Sequence, residues 1–233
     1  MLSQTPEQKT TLQIRGCKLK RYLFFILLAA AGLFAGQSAP AAPATGTLLE
    51  KIEQTCAHVR SVTADFAQTK TIQASGKVIK SAGKLHFESP ERLAMVYSTP
   101  ATHRLTIDGA RFYMARGGAP KCFDTDKNAM MRSLRNTLLY CVRGKARSVA
   151  QENGADISAT EEGGNYVVTL TARKPAPRGY SSIILTYRKA DAMLVRMEMN
   201  EFSGIRQVYA MSAMKKDVPV PAEVFAIPEN PGR

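Results

Sequence analysis

The sequence contains no tryptophan, and its three histidines, His58, His86 and His103, are scattered. They have no metal-ligand spacing and no H-E-x-x-H pair. No G-x-S-x-G elbow, phosphate loop or G-x-G-x-x-G turn occurs. These absences remove the common templates for metallohydrolysis, serine catalysis and nucleotide binding. The chain is expected not to be an enzyme and to use no metal or cofactor. "DTDKNA" (Asp124 to Ala129) starts like a calcium loop, but Ala129 stands where glycine is needed and Arg135 where the bidentate glutamate belongs. Four cysteines without a C-x-x-C support neither thiol-redox chemistry nor a zinc ribbon. Acidic residues are scarce, 19 against 32 Lys and Arg, for a formal net charge of +13.

Long apolar runs are also missing, with one exception near the start. Arg15, Lys18, Lys20 and Arg21 precede "LFFILLAAAGLF" (Leu23 to Phe34), and "SAPAAPA" (Ser38 to Ala44) offers small-residue cleavage sites. Residues 1–44 therefore predict a secretory signal peptide cut near 41–44, too short in its apolar part for a membrane span. Cys17 precedes the apolar run, so no lipid-attachment cysteine follows it. Loss of this leader removes five cations and Glu7 and leaves about +9. Export places residues 45–233, one domain by length, in the periplasm. Nucleic acid is not an expected partner there. The positive surplus suits anionic membranes or acidic partners, or simple solubility. An oxidising compartment favours cysteine pairing. Cys122 and Cys141 bracket one predicted helix and make the most local bridge, with Cys56 left reduced. A bridge from Cys56 to either of them is the rival.

What is present is alternation. "TLLEKIEQTCAHVRSV" (Thr47 to Val62) has Leu48, Ile52, Cys56 and Val59 at helical spacing, and Thr47 with Glu50 offers a capping box. The period then becomes two, through "SVTADFAQTKT", "KVIKSAGKLHF", "RLAMVYS", "HRLTI" and "ARFYMA", punctuated by "ASGK", "SPER" and "DGA". Asp126 to Gly144 returns to helical spacing, with Met130, Leu134, Leu138 and Cys141 on one face and Gly144 as C-cap. Four more strand patterns follow: Tyr166 to Arg173, Ser181 to Arg188, Leu194 to Phe202 and Arg206 to Ala213. Nine or ten antiparallel strands with two helices predict a mainly β (α+β) domain. Its sheet curls strongly and carries the helices over its concave side. His86, opposite in parity to Leu85 and Phe87, is expected to face solvent. Nine methionines lie beyond the leader. They fill a core, or they line a cavity that must accept varied apolar shapes.

The ordered series V-x-A-x-F-x-Q, S-G-K, G-x-L-x-F, a proline turn, Y-x-x-P and D-G-x-x-x-x-x runs from Val62 to Ala115. With "LVRMEMNEFSGIRQVYAMSA" and "PAEVFAIPEN", it resembles the outer-membrane lipoprotein carrier, or LolA-like, family over most of Leu48 to Asn230. The resemblance implies an unclosed β-barrel with a helical lid. Its cavity would hold lipoprotein acyl chains taken from an inner-membrane ABC exporter and passed to an outer-membrane receptor. Leu93, Met95 and Leu105 match the family's inward positions. With the inward parity of Phe66, Leu85, Phe87, Tyr97, Ile107, Phe112 and Met114, they make up the expected cavity. Met130, Leu134 and Leu138 are assigned to the lid. Met95 is expected to meet cargo more than neighbouring side chains. Ser89 occupies the position before the turn proline where the family often has a basic residue. The expected protein is a monomeric periplasmic carrier of acylated lipoproteins. A glycolipid-binding or lipoprotein-sensing module of the same fold is the alternative.

Overall fold

The computed structural model describes residues 44–117, 119–176 and 179–228. The expected leader, up to residue 43, lies outside them. The chain begins with α1 (Thr45–Ala57), followed by β1 (Ser61–Ile72), β2 (Lys77–Glu88), β3 (Arg92–Thr99), β4 (Arg104–Asp108), β5 (Arg111–Arg116) and β6 (Ala119–Asp124). Two helices come next, α2 (Ala129–Val142) and α3 (Ala146–Glu152). The remaining strands are β7 (Ala155–Glu162), β8 (Asn165–Ala172), β9 (Tyr180–Arg188), β10 (Leu194–Glu201) and β11 (Ile205–Lys216). All eleven strands form one sheet in the order β6-β5-β4-β3-β2-β1-β11-β10-β9-β8-β7. Every pairing is antiparallel, and β6 and β7 end the sheet unpaired with one another, so the barrel is unclosed.

Strict alternation puts one row of apolar side chains after another on the inner face. Val62, Phe87, Leu93, Ile107 and Phe112 are successive cross-strand partners, and so are Ala64, Leu85, Met95, Leu105 and Met114. On the other wing Met197, Leu185 and Val168 form a further row. Helix α1 adds Leu48, Leu49, Ile52 and Cys56 at helical spacing, α2 adds Met131, Leu138, Leu139 and Cys141, and α3 adds Ala146, Val149 and Ala150. Together they form one continuous core. Each large buried apolar side chain contributes about 1.5–3 kcal/mol.

Three details differ from the sequence reading. The Thr47–Glu50 capping box is not formed. Helix α1 starts earlier, behind Ala44, without a side-chain cap. Its Thr45 hydroxyl instead accepts a bond from Ala159 N of β7 at 3.2 Å. It also ends at Ala57, because Ser61 and Val62 are taken into the β1–β2 ladder. Strands β6 and β7 and helix α3 were not expected. β6 carries Pro120, and β7 fully buries only Ala155 and Ala159, with Ile157 partly buried between them. Both are edge strands, where alternation is weakest.

The C-terminal residues cover part of the outer face. A short 3₁₀ turn, Ala222–Phe225, places Phe225 under the Arg92 guanidinium, 5.0 Å from the ring centre. Arg104 Nη2 donates to Val224 O at 2.6 Å and Ala226 O at 3.3 Å. Beneath this segment Ala94 and Thr106 are fully buried. β3 and β4 are therefore enclosed on both faces.

Gly83 marks the tightest crossing. It lies opposite Tyr97 at a register shift, and a Cβ there would stand 2.2 Å from Val96 O and 2.9 Å from Phe66 Cζ. Gly83→Ala is expected to destabilise the domain by about 1–3 kcal/mol, read as a lower denaturation midpoint with an unchanged slope.

Candidate functional site

The curled sheet leaves a cleft between its two wings, with a volume of about 130 Å³. Met95, Leu105 and Met114 line it from β3–β5, Leu134 and Leu138 from α2, and Tyr180 and Met199 from β9 and β10. Its other wall is polar: Gln68, Gln207, Tyr97 and Tyr209, with His103, Arg104 and Arg116 at the mouth. These residues come together because β1 pairs with β11, setting Gln68 beside Tyr209.

The polar wall is internally satisfied. Gln68 Nε2 donates to Tyr209 Oη at 2.8 Å and to Gln207 Oε1 at 3.1 Å. Tyr97 Oη donates to Gln68 Oε1 at 3.2 Å. The Tyr97 ring also meets Phe66 edge-on, with centres 5.0 Å apart. Burial pushes the phenols of Tyr97, Tyr180 and Tyr209 above their ordinary value, so all three stay neutral. The network is neutral, and a ligand head group could join it only by exchanging one of these internal bonds. Among the described residues, no group of three or more His, Cys, Asp or Glu could hold a metal ion.

The residues expected to form a cavity divide into two sets. Met95, Tyr97, Leu105 and Met114 border the cleft, as do the lid residues Leu134 and Leu138. Phe66, Leu85, Phe87, Leu93, Ile107 and Phe112 share the inner face but are buried in the close-packed core. Met95 belongs to both sets, only 2% exposed. In this conformation it packs against neighbouring side chains while also bordering the cleft. Met130 is exposed, one position off the buried stripe of α2. The polar wall was missed. Its signal was Gln68 at the inward parity of Val62, Ala64 and Phe66.

The structure carries neither the expected Cys122–Cys141 bridge nor its rival through Cys56. All three cysteines are free thiols. Cys122 opposes Tyr113 on the outer-face row of β6, while Cys141 is buried under the concave face. The sheet lies between them. Cys56 Sγ donates to Ala192 O at 3.3 Å. Burial pushes the Cys56 thiol up to about 11 and the Cys141 thiol up to about 12.

His86 also departs from expectation. It is half-buried on the outer face, beside a groove of about 610 Å³ that Glu223 and Val224 help to line. Among the described residues its Nδ1 has no hydrogen-bond partner, and burial, with Lys84 nearby, lowers its pKa.

Helix α2 covers the cleft and is fixed from several sides. Asn128 Oδ1 accepts from Met131 N at 3.1 Å and starts the helix. Arg135 Nε donates to Gly109 O at 2.7 Å and its guanidinium pairs with Glu91 at 2.9 Å. At the other end Tyr187 Oη donates to Cys141 O at 2.8 Å. Gly144 follows at φ 68°, where a Cβ would lie 2.8 Å from Cys56 Sγ.

A family model described as outer membrane lipoprotein carrier protein LolA matches residues 57–228. No curated protein matches the chain. Among solved structures, a LolA superfamily protein from Nitrosomonas europaea aligns at 11% identity and TM-score 0.39, covering 80% of this chain and 99% of that one. The Pseudomonas aeruginosa MucA/MucB complex aligns at 14% identity and TM-score 0.45, over 78% of this chain and 60% of that one. The Mycobacterium tuberculosis lipoprotein LppX aligns at 13% identity and TM-score 0.42, over 76% and 98% respectively.

The thiol assignment has a direct check. In the chain from residue 45 onward, a maleimide is expected to label Cys122 alone under native conditions and all three cysteines after unfolding, counted by intact mass. A disulfide-linked peptide pair in the digest would contradict it.

Proposed function

Because the chain belongs to the outer membrane lipoprotein carrier (LolA) family, we propose that it is a periplasmic, non-enzymatic carrier. In this reading it shields the acyl chains of lipoproteins between the inner and outer membranes. The observation that supports it is the apolar inner face, roofed by helices and split by a cleft between the wings. Among the described residues no helix is long and apolar enough to cross a membrane.

A cleft of about 130 Å³ is small beside the roughly 300–1,000 Å³ of ligand pockets. The conformation described here is therefore closed. An acyl chain gains space only if Leu134 and Leu138 move off the sheet with α2. Burial returns about 0.8 kcal/mol per methylene, so a long acyl chain offsets the loss of the Arg135 and Tyr187 tethers. The reaction partners in this scheme are an ABC exporter on the inner membrane and a receptor on the outer membrane. The protein would act as a monomer after removal of its leader. The Gln68–Gln207–Tyr209 wall favours a second reading, a glycolipid-binding or lipoprotein-sensing module, in which those amides and phenols hold a polar head group. The lipid that co-purifies, identified by mass spectrometry, separates the two.

Native mass spectrometry with a triacylated lipopeptide is expected to show a one-to-one complex, and its absence would overturn the carrier reading. Leu134 is half-buried at the cleft. Leu134→Asp is expected to weaken binding of a fluorescent acyl probe at least about tenfold, since an unpaired carboxylate against hydrocarbon costs well over 1.4 kcal/mol. Its melting transition is expected to stay within a few degrees of wild type. Met95→Asp, in contrast, is expected to unfold the domain.

A further inference from the structure

Among the described residues, four large apolar side chains are exposed: Val78 (53%), Ile79 (38%), Phe202 (40%) and Met130 (52%). Three of them stand at the tips of two neighbouring hairpins. β1 pairs with β2 on one side and β11 on the other, and Gln73 N donates to Gly204 O at 3.0 Å. The β1–β2 and β10–β11 tips therefore form one projecting end. β3 joins β2 only from Ala82 onward, and residues Lys77, Val78, Ile79 and Lys80 are exposed on both faces of the ribbon.

Register shows where this end leads. Ile205, Ile72 and Lys77 lie in one cross-strand row, and Gln207, Lys70 and Ile79 in the next. Gln207 lines the cleft, so both rows continue the inner face outward past the mouth. Val78 points to the opposite side, beside Thr71. Lys70, Lys77 and Lys80 form no ion pair among the described residues, whereas Arg206 is already held by Glu198 at 2.7 Å. The nearby Glu201 is engaged by Ser203 and Gln207.

We propose that this double hairpin tip docks the protein on an anionic bilayer surface. Val78, Ile79 and Phe202 enter the interfacial layer, and Lys70, Lys77 and Lys80 meet lipid phosphates. Exposed aliphatic and aromatic side chains flanked by unpaired lysines match that surface in both polarity and charge. A protein partner adding a strand to the free edge of β2 would cover Lys77–Ser81 but leave Phe202 bare, whereas a bilayer takes all three apolar groups at once. Docking this way turns the cleft mouth toward the membrane. The benefit to cargo transfer rests on the carrier reading; the docking itself does not.

The chain has no tryptophan, so Phe202→Trp supplies a single reporter. In the chain from residue 45 onward, its emission is expected to shift to the blue on vesicles of equal parts phosphatidylglycerol and phosphatidylethanolamine, and not on phosphatidylcholine. Flotation with the same vesicles is expected to weaken at least about tenfold between ~0.05 and ~0.5 M salt, as the Debye length shrinks. Val78→Ser/Ile79→Ser/Phe202→Ser is expected to lose flotation by a similar factor, and Lys70→Gln/Lys77→Gln/Lys80→Gln to lose the preference for anionic lipid. Both should melt as wild type does. Absence of the blue shift, flotation undiminished in the triple serine variant, or binding only to vesicles holding reconstituted membrane protein would each overturn the proposal. Acyl-probe uptake in solution is the separating control. A chain that takes up probe but ignores vesicles overturns docking alone, and one that floats but takes up no probe overturns the carrier reading alone.

Discussion

An eleven-stranded sheet that curls without closing must cover its own concave face. That requirement organises the molecule. Each inward row, such as Val62–Phe87–Leu93–Ile107–Phe112, would be costly in water at about 25 cal/mol per Å². The three helices exist in the fold as cover for these rows. Their core stripes are short, four residues each on α1 and α2, with Leu134, Tyr140 and Val142 of α2 packed partly against them. Cover of this kind need not be permanent. On α2, Leu134 and Leu138 are the side chains that face the cleft.

The tethers of α2 are graded accordingly. At its C-terminal end, Tyr187 and the glycine packed over Cys56 fix the backbone inside the core. Along its length, Arg135 reaches turns at the rim through exposed partners such as Glu91. A surface ion pair contributes about 0–1 kcal/mol. The sheet-facing leucines near the cleft are thus held more weakly than the helix end.

Much of this was legible from alternation and spacing. β1 to β5 were read correctly because their large apolar residues recur at period two, and α2 because its apolar stripe repeats at helical spacing. The edges were not legible: β6 and β7 each pair on one side only, and their apolar residues are few and mostly small. Parity also says which face a residue occupies without saying what else covers that face. His86 and Cys122 both lie on the outer face as parity requires. Yet His86 is half-buried near the C-terminal segment, and Cys122 is separated from Cys141 by the sheet itself. Met95 shows the same limit from the inside. Inward parity alone does not distinguish a wall from a core. The polar wall depended on the β1–β11 pairing, which joins residues about 140 positions apart and leaves no local trace.

The C-terminal segment over Ala94 and Thr106 gives the two wings of the sheet different mechanical characters. β3 and β4 are sandwiched between core and strap, with Arg92 and Arg104 riveting the outer layer. Among the described residues β7, β8 and β9 have no such backing, and their outer residues stay half-buried or exposed. Any widening of the barrel is therefore asymmetric: one wing serves as a fixed jaw, and strain flows into the other, toward the unpaired β7 edge.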